Sequence, residues 1–223
     1  VFDLISRYHS EILDAFWVTI KLTFFSAIGA LILGTIVAGM RVSPIPVARW
    51  VGATYVSIFR NTPLTLIIVF CSLGLYNTLG WKLAGESLVD NNFRWAVVGL
   101  SVYTASFVCE SLRSGINTVA LGQSEAGRSL GFGFAQNLRL IVLPQAFRAV
   151  IAPLGSVLIA LTKNSTIASA IGVGEAALLM SEMNENEAAI LAIGAIFALG
   201  FVILTLPTGL FFGWLAKRYE VAR

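Results

Sequence analysis

The chain is dominated by apolar runs about as long as a bilayer is thick. A helix rises about 1.5 Å per residue, so roughly 20 mostly apolar residues cross a hydrocarbon core of about 30 Å. Five stretches fit or approach that length: Phe16 to Met40, a run within Val51 to Leu79, Trp95 to Leu112, Ala149 to Thr162 and Ala188 to Leu215. The chain is 57% hydrophobic and 12% charged, too few charges to cover a water-facing surface. Lipid is the solvent such a composition calls for.

Each run carries a local signature. The first has Lys21 and Thr23 near its outer end, and Gly29, Ala30 and Gly34, small enough for close helix packing. It stops at Arg41 and the prolines Pro44 and Pro46. The second is interrupted by Arg60, Asn61, Thr62 and Pro63, which predicts a bent or two-part helix. The fourth is short: Lys163, Asn164, Ser165 and Thr166 interrupt it before IASAIGVGEAALLM, which predicts a span, a bend and an outer helix.

The basic residues set the orientation. With the N-terminus outside, ten fall on or toward the cytoplasm: Arg41, Arg49, Arg60, Arg113, Arg128, Arg139, Arg148, Lys217, Arg218 and Arg223. Arg7, Lys21, Lys82 and Arg94 fall outside, and Lys163 within the membrane. The expectation is N-out and C-in. The polar start VFDLISRYHSEILD does not resemble a cleaved signal, so the first span is expected to act as one. Formal charge is +3 but dispersed, which argues against nucleic acid. Cys71 and Cys109 lie in apolar runs and give no disulfide framework.

One cytoplasmic stretch, SEAGRSLGFGFAQNLRLIVLP from Ser124 to Pro144, is polar and glycine-punctuated. Ser124 can cap a helix with Glu125 in its first turn, Gly131 and Gly133 can end it, and Phe134 to Leu143 can form a second short helix stopped by Pro144. Physically this reads either as an amphipathic hairpin on the membrane or as a docking handle for a cytoplasmic partner.

The spacing Glu125, Ala126, Gly127, three residues, Gly131, nine residues, Ile141, one residue, Leu143, Pro144 resembles the EAA loop of ABC importer permeases. Gly127 stands where that family usually has Ala. FRNTPL (Phe59 to Leu64), ESLRSGI (Glu110 to Ile116), LGQSEAG, LPQAFR and KNST extend the resemblance to the polar amino acid permeases, of the glutamate, glutamine, histidine and arginine type. Ser106 and Phe107 depart from a usual Ala-Tyr, and Asn164 from a usual Asp.

The resemblance implies an all-α integral membrane fold of five transmembrane helices, the type I (MetI-like) permease fold, with residues 1–223 as a single transmembrane domain and a coupling loop at about 120–144. Gln123 to Gly131 would then be the coupling helix on a separate ATPase, with Gln123, Glu125, Ala126, Gly127, Arg128, Gly131 and Pro144 as coupling residues. It also implies partners: two copies of an ATP-binding subunit carrying ATP and Mg, a second permease chain that is identical or related, and an extracytoplasmic substrate-binding protein. The chain itself has no G-x-x-x-x-G-K-[ST] loop, and no cofactor or metal is expected in it. The location implied is the bacterial plasma membrane.

The polar groups inside the spans suggest a path. Asn61 or Thr62 can cap a half-helix beginning at Pro63, whose positive end, with Arg60, suits a carboxylate; Arg60 can equally snorkel to the cytoplasmic face. Lys163, Asn164, Ser165 and Thr166 would line a pocket where the helix breaks, since irregular backbone at membrane depth needs a cavity. A neutral Asn164 removes the bias toward cationic side chains that the family's usual Asp would give, so acidic or neutral cargo is expected, with glutamate foremost by resemblance to the glutamate-type importers of that family. Glu110 and Arg113, three apart on one helix, can form a structural or gating pair. A stand-alone secondary transporter is the alternative, though an odd number of spans and the cytoplasmic loop disfavour it. A membrane enzyme is disfavoured because the single His9 lies outside the spans and no paired carboxylates lie in them.

Overall fold

The computed structural model describes residues 2–219, so Arg223 lies outside the described residues. Every element among them is helical. Four helices are long and apolar enough to cross a membrane, and a bent pair makes a fifth span.

Helix α1 runs Phe2–Val42, with a kink at Tyr8, and so begins well before the expected Phe16. Its polar first turns are helical because Leu4 buries against the last span. The helix ends where Ser43-Pro44 follows, and Pro46 opens α2, Pro46–Asn61, at its first turn. A bend of 102° separates α2 from α3, Leu64–Val69, which continues as a π-helical segment over Phe70–Thr78. The predicted two-part span is therefore present. Its predicted cap is not: Pro63 itself is the N-cap, and no side chain caps α3. Asn61 Nδ2 donates to the Ser57 carbonyl (2.8 Å) and Thr62 Oγ1 to the Ile58 carbonyl (2.8 Å), so both close the end of α2 instead.

Helix α4, Leu88–Asn117, is the central post, capped by Ser87, whose hydroxyl accepts from the Asp90 N–H. Small residues let α1 lie against it. A Cβ on Gly34 would sit 2.6 Å from Val108 Cβ, and one on Gly29 would collide with Ser101. Leu22, Ile68, Leu100 and Leu161 form the main core between these helices and the fourth span.

Helix α5, Leu121–Ser129, is the cytoplasmic loop helix. Helix α6, Phe134–Asn137, passes through a π-helical turn, Leu138–Val142, into α7, Leu143–Asn164, and a 3-10 turn, Ser165–Ile171. Together they form one 38-residue span, Phe134–Ile171. Two expectations are corrected here. Pro144 does not stop a helix, because the wide turn just before it relieves the missing N–H and the ring's clash with the preceding turn. Nor does the chain break at Lys163 to Thr166. Ser165 Oγ donates to the Thr162 carbonyl (2.7 Å) and Thr166 Oγ1 to the Lys163 carbonyl (2.8 Å), so helical backbone continues to Ile171. The break falls at Gly172, whose φ of +76° turns the chain into α8, Ala176–Asn186. Helix α9, Ile190–Tyr219, completes the fold and leaves Leu191 90% exposed, in keeping with a lipid-facing surface.

Candidate functional site

The ends of α1 and α4, the start of α2 and the whole Leu121–Val142 loop gather at the basic-rich end of the molecule. Gly115 near the end of α4 abuts Val150 and the Ala146 carbonyl near the start of α7, closely enough that a Cβ would not fit. At this end Glu110 bridges two helices. Its Oε1 accepts from Arg41 Nη1 of α1 (2.6 Å), and its Oε2 accepts from Arg113 Nη2 (2.9 Å). The expected Glu110–Arg113 pair is thus present, and Arg41 makes it an inter-helix tie. Excess positive charge in basic loops places this end in the cytoplasm and the N-terminus outside.

The loop itself is tightly built. Helix α5 begins at Leu121 with Ala120 as N-cap, so Ser124 is not the cap but an interior residue, and Glu125 lies in the second turn. Its end is a Schellman motif: the Gly131 N–H donates to the Arg128 carbonyl (2.9 Å) and the Phe132 N–H to the Gly127 carbonyl (3.1 Å), with Gly131 at φ +86°. Gly133 opens α6 rather than ending α5. Gly127 is buried, and a Cβ there would lie 2.5 Å from Ile141 Cδ1 and 2.9 Å from Asn137 Oδ1. Close approach of α5 to the π-helical turn therefore explains the glycine where a small residue was expected.

Two polar contacts fasten α5 to the fourth span. Asn137 Nδ2 donates to the Ser124 carbonyl (2.7 Å) and to Ser124 Oγ (3.0 Å), and Gln145 Nε2 donates to Gln123 Oε1 (2.8 Å). Asn137 did not emerge from the sequence; a lone amide within NLRLIVLP was the only signal. Glu125, Ala126 and Arg128 stay exposed, with Leu121 and Leu130 beside them. The loop thus presents a rigid face with both charge and apolar area, while Pro144 sits on the adjoining helix.

Within the membrane, a cleft of about 190 Å³ opens between α4 and α7, lined by Tyr103, Thr104, Phe107, Ser156 and Asn164 among others. Of the four residues expected to form a pocket, only Asn164 faces it. Lys163 is exposed elsewhere, and Ser165 and Thr166 spend their hydroxyls on the backbone. Thr104, unremarked in the sequence, is the more informative residue: it is 3% exposed, and its Oγ1 has no partner among the described residues. A buried hydroxyl left without a partner loses the hydrogen bonds it would make in water, so Thr104 Oγ1 is an unsatisfied polar atom in the wall of the cleft. Arg60 does not enter the cleft but places its guanidinium 5.8 Å from the centre of the Phe107 ring, itself a cleft wall.

A five-span helical bundle with a braced loop at its basic-rich end and a small, largely apolar cleft between α4 and α7 has the architecture of a membrane transport subunit. Residues 30–221 match the family described as binding-protein-dependent transport system inner membrane component, and the chain belongs to that family. It is 60% identical over 218 residues to the glutamate transport system permease protein GluC of Corynebacterium glutamicum, covering 96% of each chain. It is 35% identical to a probable glutamine ABC transporter permease protein of Bacillus subtilis, covering 99% of this chain and 96% of that one. Among solved structures, an amino acid ABC transporter crystallised with histidines superposes with a TM-score of 0.86 at 25% identity, covering 98% of each chain. A methionine ABC transporter in an inward-facing conformation superposes at 0.77 and 19% identity, over 94% of this chain and 96% of that one. The chain is accordingly a permease subunit of an ABC transporter, a membrane component that works with ATPase and substrate-binding partners, rather than an enzyme or a stand-alone transporter.

Proposed function

We propose that this permease imports glutamate, or a related acidic or neutral polar amino acid. The observation that carries the cargo is the cleft: among apolar walls that include Val157, Ala160 and Leu161 its polar residues are Tyr103, Thr104, Asn164 and Ser156, the last donating its hydroxyl to the Ala152 carbonyl, and none of its lining residues is acidic. Neutral amides and hydroxyls bind a zwitterion without repelling a second carboxylate, whereas an acid at Asn164 would hold a cationic side chain. The name of the 60% identical relative points the same way. Arg60, at the bend and stacked on Phe107, adds positive potential beside the path; Asn61, Thr62, Lys163, Ser165 and Thr166 shape the backbone around it.

Coupling runs through Gln123, Glu125, Ala126, Gly127, Arg128 and Gly131, which dock on an ATPase, while Pro144 and Gln145 carry the load into the fourth span. The assembly contains two ATPase copies binding ATP and Mg, a second permease chain, identical or related, and a delivery protein on the outer side. This chain holds no cofactor of its own. The Arg41–Glu110–Arg113 tie holds the cytoplasmic ends of α1 and α4 together in one state of the access cycle.

The test is competition uptake in proteoliposomes with Asn164→Asp. The variant should lose glutamate preference and gain inhibition by arginine. An unchanged glutamate preference would remove Asn164 from the specificity argument.

A further inference from the structure

Helix α8 is fastened to α1 at both ends. At its start the Ala176 N–H donates to Thr19 Oγ1 (3.1 Å). Just past its end Glu187 accepts from Arg7 Nη1 (2.7 Å) and from the Tyr8 hydroxyl (3.2 Å). Between these points Ala176 and Met183 pack with Leu4, Ile193 and Phe197, while Ser181, Glu182 and Glu185 face outward. The chain enters α8 through a turn at Gly172, φ +76°, and Gly174, where a Cβ would meet nothing, with Val173 buried between them. The helix has the form of a strap, turned at its glycines and held to α1 at both ends.

That N-terminus holds the most buried acid described in the fold. Glu175 is 0% exposed; its Oε1 accepts from the Ala177 N–H (2.9 Å) and the Leu178 N–H (3.1 Å), and its Oε2 has no partner. The packed elements bring it no countercharge. Among the described residues it forms no ion pair or hydrogen bond with Asp3, Arg7, His9, Glu11, Asp14 or Lys21 of α1, with Lys217 or Arg218 of α9, or with Glu182 or Glu185 of α8. The 3-10 turn below it carries no charged residue. Loss of hydration pushes the Glu175 carboxyl up to about 7, against the two backbone N–H groups, which pull it down. A lone buried carboxylate is costly, and a proton on Oε2 removes the charge.

We propose that Glu175 is a proton-operated catch for α8: neutral while the helix is seated on α1 and α9, and ionised when the helix lifts at its glycine turn. On lifting, the Oε2–H bond breaks and its proton passes to water; on reseating, a proton is taken up. The seated form has the raised affinity for the proton, so seating is fully supported below the ordinary carboxylate range. It weakens as pH rises toward about 7 and gains no further penalty beyond that. From 4.5 to about 7, the seated-to-lifted ratio should fall by about two orders of magnitude.

The test is pulsed EPR on the whole protein in lipid nanodiscs, labelled at Glu182→Cys on α8 and Leu13→Cys on α1; the native Cys71 and Cys109 are buried and stay unlabelled. At pH 5.5 the seated distance should dominate, and a longer distance should grow in by pH 8. The near-isosteric Glu175→Gln, neutral at every pH, should keep the seated distance throughout. A distance distribution indifferent to pH, one that shifts the other way, or a Glu175→Gln protein that still responds to pH would each overturn the proposal.

Discussion

Two glycines two residues apart in the cytoplasmic loop should behave oppositely. Gly131 has φ +86° and supplies the left-handed residue of the Schellman motif that ends α5, yet a Cβ there would meet nothing. Replacing it therefore introduces no clash, only backbone strain, which for an L-residue in this region is about 1–2 kcal/mol. That corresponds to roughly a 5- to 30-fold loss in the population of the native loop end, with Asn the mildest substitute and Val the worst. Gly133 has φ −67° and only Gln136 Oε1 near a would-be Cβ, at 3.9 Å, so Gly133→Ala should be neutral. The assay is co-purification of the ATPase subunit with tagged permease, with permease melting followed separately. Retained ATPase should rank Gly133→Ala, then Gly131→Asn, then Gly131→Ala, then Gly131→Val. If Gly131→Ala and Gly133→Ala bind the ATPase equally well, the Schellman geometry does not govern docking and the coupling role of this loop end fails.

Other perturbations follow from the packing. Gly34→Leu should push α1 off α4 at Val108 and lower detergent stability by about 2–4 kcal/mol, read as a loss of monodisperse protein on heating. Glu110→Gln leaves Arg41 and Arg113 facing each other without their carboxylate; a double-mutant cycle with Arg41→Gln should return a coupling of about 1–2 kcal/mol in unfolding free energy, modest because the groups are only partly buried. Thr104→Val removes the unpartnered hydroxyl from the cleft, so the apo protein should be at least as stable while uptake affinity falls by about 3- to 10-fold in transport assays. Asn91→Ala removes bonds to the Leu83 and Ala84 N–H groups and to the Gly85 and Ser87 carbonyls, and should raise hydrogen exchange in the loop preceding α4.

What the sequence disclosed depended on how local the cause was. Spans were legible because bilayer thickness sets their length, and the end of α5 because a glycine at 131 supplies the left-handed residue that stops a helix. The early start of α1 was not, because VFDLISRYHSEILD is polar in isolation and becomes helical through Leu4 packing on α9 and Arg7 reaching Glu187. The polar run Lys163 to Thr166 read as a break, but its hydroxyls bond to the helix's own carbonyls and the helix continues to Ile171. Thr104, Asn137 and Glu175 matter because of what surrounds them at distances of tens of residues along the chain, which no local pattern encodes.

Helical backbone that continues through Lys163 to Thr166 bears on how motion could travel in the proposed coupling. Had the helix unwound there, motion imposed on the loop would dissipate at membrane depth. Instead one helical rod, Phe134–Ile171, extends for about 55 Å. Its start is tied to α5 through Asn137–Ser124 and Gln145–Gln123, its middle supplies Ser156 and Asn164 to the cleft, and its end reaches Gly172 and the catch at Glu175. On the proposed coupling, a displacement of the loop would reach the cleft wall and the start of α8 along this one helical segment, which carries Pro153 in its interior. Two features interrupt the regular α-helical backbone of that segment: the π-helical turn at Leu138–Val142, just before Pro144, and Pro153 inside α7. The π-helical turn lies against Gly127 and Asn137 rather than in the cleft, so in the proposed coupling the bend between loop and membrane segment would fall at the loop.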